Sequence, residues 1–178
     1  HLASGMMLKW YKDTLCQEEA RIAKNNNLDV YDIIIKNASK SSKGSHNIFI
    51  LPHLRGSGMG IKPSLNSFSK CSIIGLNISH NKSDISRAIL EGIAFESKAV
   101  LESLEKTGVE IEEMRATGGG TKSEFWLQIR ANIMNKKIVV PKFKDAGLMG
   151  AIILASLGLN IFKSEKEAVE NLINMEKT

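Results

Sequence analysis

Residues Ala116 to Ala131 read ATGGGTKSEFWLQIRA. The stretch just before, Glu112 to Thr117, is a strand candidate that runs into Gly118, Gly119 and Gly120. From Ser123 to Asn135 helical spacing resumes, with Phe125, Ile129 and Ile133 on one stripe and Trp126 beside it. The order is therefore strand, glycine turn, helix. Glycines at such a place let the backbone approach a ligand closely, and the following helix start offers unpaired N–H groups and a partial positive charge. The run is not a P-loop, because Thr121 stands between Gly120 and Lys122. It is not G-x-G-x-x-G either, because Ser123 replaces the last glycine. On the residues alone, the turn reads either as a ligand site or as a tight structural turn.

Downstream of it, Lys137 to Val140 makes another strand. Asp145 to Leu157 reads as a small-residue helix ended by Gly158, and Ser164 to about Met175 as a last helix, with Ser164 as its cap. Upstream, Ser83 or Asp84 to Lys106 carries Ile85, Ile89, Ile93, Val100 and Leu104 on one stripe, with Thr107 and Gly108 as the stop. Cys71 to Leu76 and Ile48 to Leu51 are strand candidates, the latter stopped by Pro52. The long loop between them holds Gly56, Gly58, Gly60 and Pro63. One amphipathic helix is expected over about residues 4–24, from Met7, Leu8, Trp10, Tyr11, Leu15 and Ala20, and a short one over about 28–38. A Ser/Lys/Gly surface loop follows from Ser39 to Ser45. Strands alternating with helices make the class α/β.

With 178 residues and 43% hydrophobic composition, the chain suits a single domain with a sizeable core. The net charge of +5 is spread along it. Its densest basic stretch, Lys136, Lys137, Lys142 and Lys144, brackets the apolar Ile138, Val139 and Val140, which suits a solvated strand edge better than a nucleic-acid surface. Cys16 and Cys71 lie far apart with no metal-ligand spacing, which fits a reducing cytoplasm. The longest apolar run, Leu148 to Leu157, is shorter than the roughly 20 residues a bilayer needs. No nucleic acid, membrane or metal site is expected.

The run Ala116 to Ala131 is similar to the adenosine motif of carbohydrate kinases of the FGGY family, and further stretches resemble the same family in order along the chain. Asp145 to Ala155, DAGLMGAIILA, resembles its closing helix. Ser86 to Phe95, SRAILEGIAF, resembles the helix ahead of the adenosine strand. Phe49 to Gly58, FILPHLRGSG, resembles its Pro-containing loop, and Leu2 to Asp13, LASGMMLKWYKD, the first helix of its second lobe. The resemblance covers almost the whole chain and is xylulokinase-like. It implies the actin-like, ribonuclease H-like ATPase fold, a mixed sheet flanked by helices, with residues 1–178 as one C-terminal nucleotide-binding lobe.

Several assignments follow from that resemblance. Gly118, Gly119 and Gly120 would face the nucleotide, Ser123 would lie near the adenine with Lys122 beside it, and Gly5 and Lys9 would border the base pocket. The cofactors implied are ATP and Mg²⁺, with transfer of the γ-phosphate to a carbohydrate hydroxyl. The catalytic aspartate and the sugar contacts would belong to an N-terminal lobe absent from this sequence, so this stretch alone is expected to be inactive. Departures at Ser57, Gly58, Met59 and Gly60, and at Ser69, Lys70 and Cys71, leave the sugar open. The alternative function is a non-catalytic nucleotide-binding or regulatory module, and a homodimer is an assembly left open.

Other residues carry plainer readings. Gly92, inside the longest helix, marks a close contact. Arg87 and Glu91, four apart, are read as a helix-surface pair contributing about 0.2–0.5 kcal/mol. His53 is read as ordinary loop surface, and Trp10 and Trp126 as core. The small residues Ala146, Gly147, Gly150, Ala151 and Ala155 are read as close packing against a neighbour.

Overall fold

The computed structural model describes residues 2–56, 68–143, 145–173 and 175–177. Ser57, Gly58, Met59, Gly60 and Pro63 of the long loop lie outside the described residues. The chain divides into two compact units. One holds residues 1–110 with 128–134, the other 111–127 with 135–178.

In the first unit the single helix expected over about 4–24 is instead two, α1 (Leu2–Leu15) and α2 (Gln17–Asn26). The break is at Cys16, whose φ of −118° and ψ of 39° leave the helical region while its side chain is fully buried. Apolar spacing runs across the break, which is why the sequence does not betray it. Asn27, left-handed at φ 53°, ends α2. Helix α3 (Val30–Ala38) starts at Asp29, whose carboxylate accepts the Tyr31 N–H at 3.0 Å.

A short antiparallel pair follows, β1 (Phe49–Leu51) and β2 (Ser72–Ile74), with Phe49 opposite Ile74. Helix α4 (Lys82–Glu105) opens with a complete capping box, since Asn81 accepts the Ser83 N–H and Asp84 reaches back to the Asn81 N–H at 2.9 Å. It packs on α3 and β1, and its Ile89, Leu90, Ile93 and Ala94 are buried with Met7, Leu8, Tyr11, Ile34 and Ile50. Gly92 is the tightest point of that packing, for a Cβ there would fall 2.3 Å from the carbonyl oxygen of Ile50.

Arg87 and Glu91 are not a surface pair. Both are buried, and Arg87 Nε donates to Glu91 Oε1 at 2.7 Å. Arg87 Nη1 also donates to the Ser41 carbonyl at 2.9 Å, and Glu91 accepts from the Gly44 N–H at 3.1 Å and from Ser45 Oγ at 2.9 Å. Gly44, Ser45, His46 and Asn47 all have positive φ, between 50° and 79°, a costly run for three non-glycine residues. Two buried carboxylates on α4 hold it, Glu91 at Gly44 and Ser45 and Asp84 at His46, whose Nδ1 lies 2.8 Å from Asp84 Oδ1. His53 is likewise buried rather than surface, its ring nitrogens within 2.6 Å of Ser69 Oγ and 3.0 Å of Glu96 Oε2.

The second unit begins with β3 (Glu113–Arg115). Helix α5 (Glu124–Met134) has its first turn in this unit and Gln128 to Met134 in the other. Strand β4 (Lys137–Pro141) pairs parallel with β3 and antiparallel with β5 (Met175–Lys177), giving a mixed sheet in the order β3-β4-β5. The basic stretch therefore flanks a central strand and not an edge. Ile138, Val139 and Val140 are buried, while Lys137 reaches out to Glu113 at 3.3 Å. Helices α6 (Ala146–Gly158) and α7 (Glu165–Leu172) pack together between β4 and β5 in sequence. The last helix thus stops earlier than its pattern suggests, and the residues after it enter the sheet.

Candidate functional site

Three adjacent glycines follow β3 after Ala116 and Thr117, and each has a different physical role. Gly118 has φ 85° and ψ −172°, a backbone state essentially confined to glycine, and it turns the chain out of the strand. Thr121 closes the turn, its N–H and its hydroxyl both donating to the Gly118 carbonyl, at 3.0 and 2.8 Å. Gly120 lies against Trp126, where a Cβ would come 3.1 Å from the indole ring. Among the described residues, a Cβ built at Gly119 meets no atom within 4 Å, and the same holds at Gly118.

The open side of that turn is part of a cavity of about 490 Å³, lined by Thr117, Gly118, Gly119 and Lys122 and by Asp145, Ala146 and Gly147 from the start of α6. Asp145 caps α6 by accepting the Leu148 N–H at 3.0 Å, so one of its carboxylate oxygens is held by the helix it begins. Lys122 is exposed. The cavity thus combines an exposed cation, bare backbone at two glycines and a capped helix start, a set suited to an extended polar ligand.

Of the residues singled out in the sequence, Gly118, Gly119 and Lys122 line this cavity together. Gly120 and Ser123 do not. Ser123 instead begins α5, its hydroxyl accepting the Trp126 N–H at 3.2 Å and its carbonyl the Leu127 N–H at 3.0 Å. Trp126 is core, as expected, but its indole N–H has no hydrogen-bond partner among the described residues. Gly5 and Lys9 belong to the other unit, on α1. There Gly5 is exposed with open space at its Cα, and Lys9 is exposed and ion-paired with Asp13 one turn on. Sequence reading passed over Thr117, Asp145, Ala146 and Gly147. The signal was present in the aspartate ahead of a small-residue helix, but those small residues read as packing.

The first unit has a separate cavity of about 210 Å³, walled by Ile48, Phe49, Ile50, Phe95 and Ile129, with Arg87 and Glu91 also lining it. None of the expected ligand-binding residues lies there. Among the described residues no group of three His, Cys, Asp or Glu side chains could hold a metal ion, and no helix is long and apolar enough to cross a membrane.

Residues 2–159 match the sequence profile of the C-terminal domain of the FGGY family of carbohydrate kinases. The chain is 32% identical over 176 residues to the xylulose kinase of Staphylococcus epidermidis, covering 99% of this chain and 33% of that protein. The crystal structure of ligand-bound xylulose kinase from Lactobacillus acidophilus superposes with a TM-score of 0.77 at 28% identity, over 97% of this chain and 32% of that one. The glycerol kinase of Plasmodium falciparum, solved with ADP, gives a TM-score of 0.72 at 29% identity, over 95% and 31%. The chain spans about a third of the length of these relatives.

Proposed function

Because this chain belongs to the FGGY family of carbohydrate kinases, as its C-terminal domain with the actin-like ATPase fold, we propose that it is the nucleotide-binding lobe of an ATP-dependent sugar kinase. The nucleotide is taken at Gly118 and Gly119 with Lys122, in a turn that Gly120 and Ser123 flank. The sugar and the catalytic aspartate that accepts its hydroxyl proton come from polypeptide outside these 178 residues. The reaction moves the γ-phosphate of ATP to that hydroxyl, in the cytoplasm.

What supports the reading is the bare side of Gly119. The fold makes no use of a missing side chain there, since no atom of the described residues would oppose one, yet the position lines a cavity beside an exposed lysine. A glycine that costs backbone entropy without serving packing suits a ligand passing over it. Gly118 shapes the turn and Gly120 admits Trp126, so within the triplet the ligand-facing role falls to Gly119. Mg²⁺ would arrive on the nucleotide phosphates, because it keeps several waters and needs at most one or two protein carboxylates; Asp145 is the single carboxylate lining this cavity. When bound, it neutralises the phosphates as charge develops.

The test is calorimetric titration of ATP and ADP into this chain and into Gly119→Val. We expect saturable binding by the wild type, weakened at least about tenfold, or 1.4 kcal/mol, in the variant, with unchanged circular dichroism. A folded variant that binds ATP as tightly as the wild type overturns the site. If neither protein binds, joining the upstream polypeptide decides whether the site is absent or needs its second lobe.

A further inference from the structure

His53, Ser69 and Glu96 all belong to the first unit, and the β1–β2 register brings the first two together. Leu51 stands opposite Ser72, so carrying the antiparallel pairing two residues past the strand ends sets His53 level with Lys70, next to Ser69. Helix α4 packs on β1 with Gly92 against the Ile50 carbonyl, and Glu96, one turn further along, reaches His53. The three side chains form a chain of hydrogen bonds, His53 Nε2 lying 3.0 Å from Glu96 Oε2 and His53 Nδ1 2.6 Å from Ser69 Oγ. An ionised carboxylate only accepts, so Glu96 fixes the ring proton on Nε2. In the neutral imidazole Nδ1 then carries the lone pair, and the Ser69 hydroxyl donates to it. Hydroxyl, imidazole and carboxylate in that order make a serine oxygen nucleophilic. His53 is buried while Ser69 is only half-buried, so the base is kept from water and the hydroxyl can be reached. Among the described residues no acceptor takes the Lys70 N–H, which leaves a backbone donor directly after the serine open to an oxyanion. The other serine and histidine that meet a carboxylate are arranged differently. Ser41 Oγ and His46 Nδ1 both go to Asp84 Oδ1, so that serine has no base.

We propose that Ser69 is a nucleophile for acyl transfer from small carboxylic esters, with His53 as its general base and Glu96 as the residue that positions the ring. Ser69 Oγ attacks the ester carbonyl while its proton passes to His53 Nδ1, and the Lys70 N–H is the donor for the carbonyl oxygen that gains charge. The bond to the alcohol oxygen breaks, His53 returns the proton to that departing oxygen, and the acyl group stays on Ser69. Water then attacks the acyl-serine and gives its proton to the same Nδ1. The bond to Oγ breaks, Oγ recovers the proton, and the products are an acid and an alcohol. Ser69 lines neither of the two cavities described above, so nothing there holds a long acyl chain and the ester class is small. The site uses no nucleotide and lies in the other unit from Gly119, so it stands or falls apart from the kinase reading.

The test treats this chain with p-nitrophenyl acetate and, separately, with a fluorophosphonate, and locates the modified residue by peptide mass spectrometry. We expect the acetyl and the phosphonyl group on Ser69, with a burst of p-nitrophenolate matching the protein concentration. Ser69→Ala should abolish both the burst and the label. Glu96→Gln keeps the size of the side chain but gives an amide N–H to Nε2, which moves the ring proton to Nδ1 and turns a donor toward Ser69. Labelling should then slow at least about tenfold with unchanged circular dichroism, and nitrogen NMR of the ring should show the proton on Nε2 in the wild type and on Nδ1 in the variant. Should Glu96→Gln unfold, Ser69→Ala, at a half-buried position, still decides the matter. A chain that takes up neither reagent overturns the proposal. So does a label confined to lysines, a burst that survives Ser69→Ala, or equal labelling of Ser69 in the wild type and in folded Glu96→Gln.

Discussion

Arg87 and Glu91, one turn apart on α4, meet through Nε and Oε1 at 2.7 Å with both side chains closed off from solvent. The same carboxylate takes the Gly44 N–H and the Ser45 hydroxyl, and so fixes the start of the left-handed run Gly44 to Asn47 against the helix. Its role is therefore to hold a strained turn as well as to balance a charge.

Removing one partner of such a pair leaves the other charged and buried. Glu91→Ala should destabilise the chain by about 3–5 kcal/mol in urea denaturation. The double variant Arg87→Met, Glu91→Leu should cost clearly less than the sum of the single changes. Additive single and double variants, each near 0.5 kcal/mol, would restore the surface-pair reading.

Asp84 gives a stability that depends on pH. A hydrogen bond from Ser41 Oγ at 2.6 Å, with further help from the Asn81 N–H and from His46, holds its carboxyl at about 2, against an ordinary 3.8. Burial works in the opposite direction and loses. A depressed native pKa means that the unfolded chain binds the proton first as pH falls. The contribution is complete well above pH 3.8 and is lost as pH falls from there through about 2. Asp84→Asn should cost about 2 kcal/mol at neutral pH and only a small fraction of that near pH 2. A cost independent of pH would show that the carboxylate's charge contributes little.

Alanine at each of the three turn glycines should give three different results in thermal melts. Gly118→Ala forces a side chain into φ 85°, ψ −172° and should cost about 1–3 kcal/mol. Gly120→Ala presses a methyl to 3.1 Å from the Trp126 ring and should cost about 1 kcal/mol. Gly119→Ala meets open space and should leave stability within about 0.5 kcal/mol. A large loss at Gly119 would mean that this glycine serves the fold.

The sequence by itself determined the element order between residues 28 and 172, the strand–glycine turn–helix motif and the family, because helical and strand periodicities are local and the motif residues are contiguous. It also located Gly92 as a contact point, since a glycine in a long helix needs a compensating neighbour. Tertiary structure alone decided what depends on residues far apart in the chain. Whether Arg87 and Glu91 are wet or dry is set by the Ser41–Ser45 loop folding over them, and whether His53 is free is set by Ser69 and Glu96. The break at Cys16 is invisible in a pattern of apolar side chains because Leu15 and Ala20 continue the helical spacing across it although both are exposed in the fold. The three glycines, identical in sequence, were told apart only by backbone angles and by what stands opposite each one. The small residues of α6 all read alike as packing, and only the fold separates the half-buried Gly150 from the exposed Gly147, Ala151 and Ala155, because which side of a helix is covered is set by residues elsewhere in the chain.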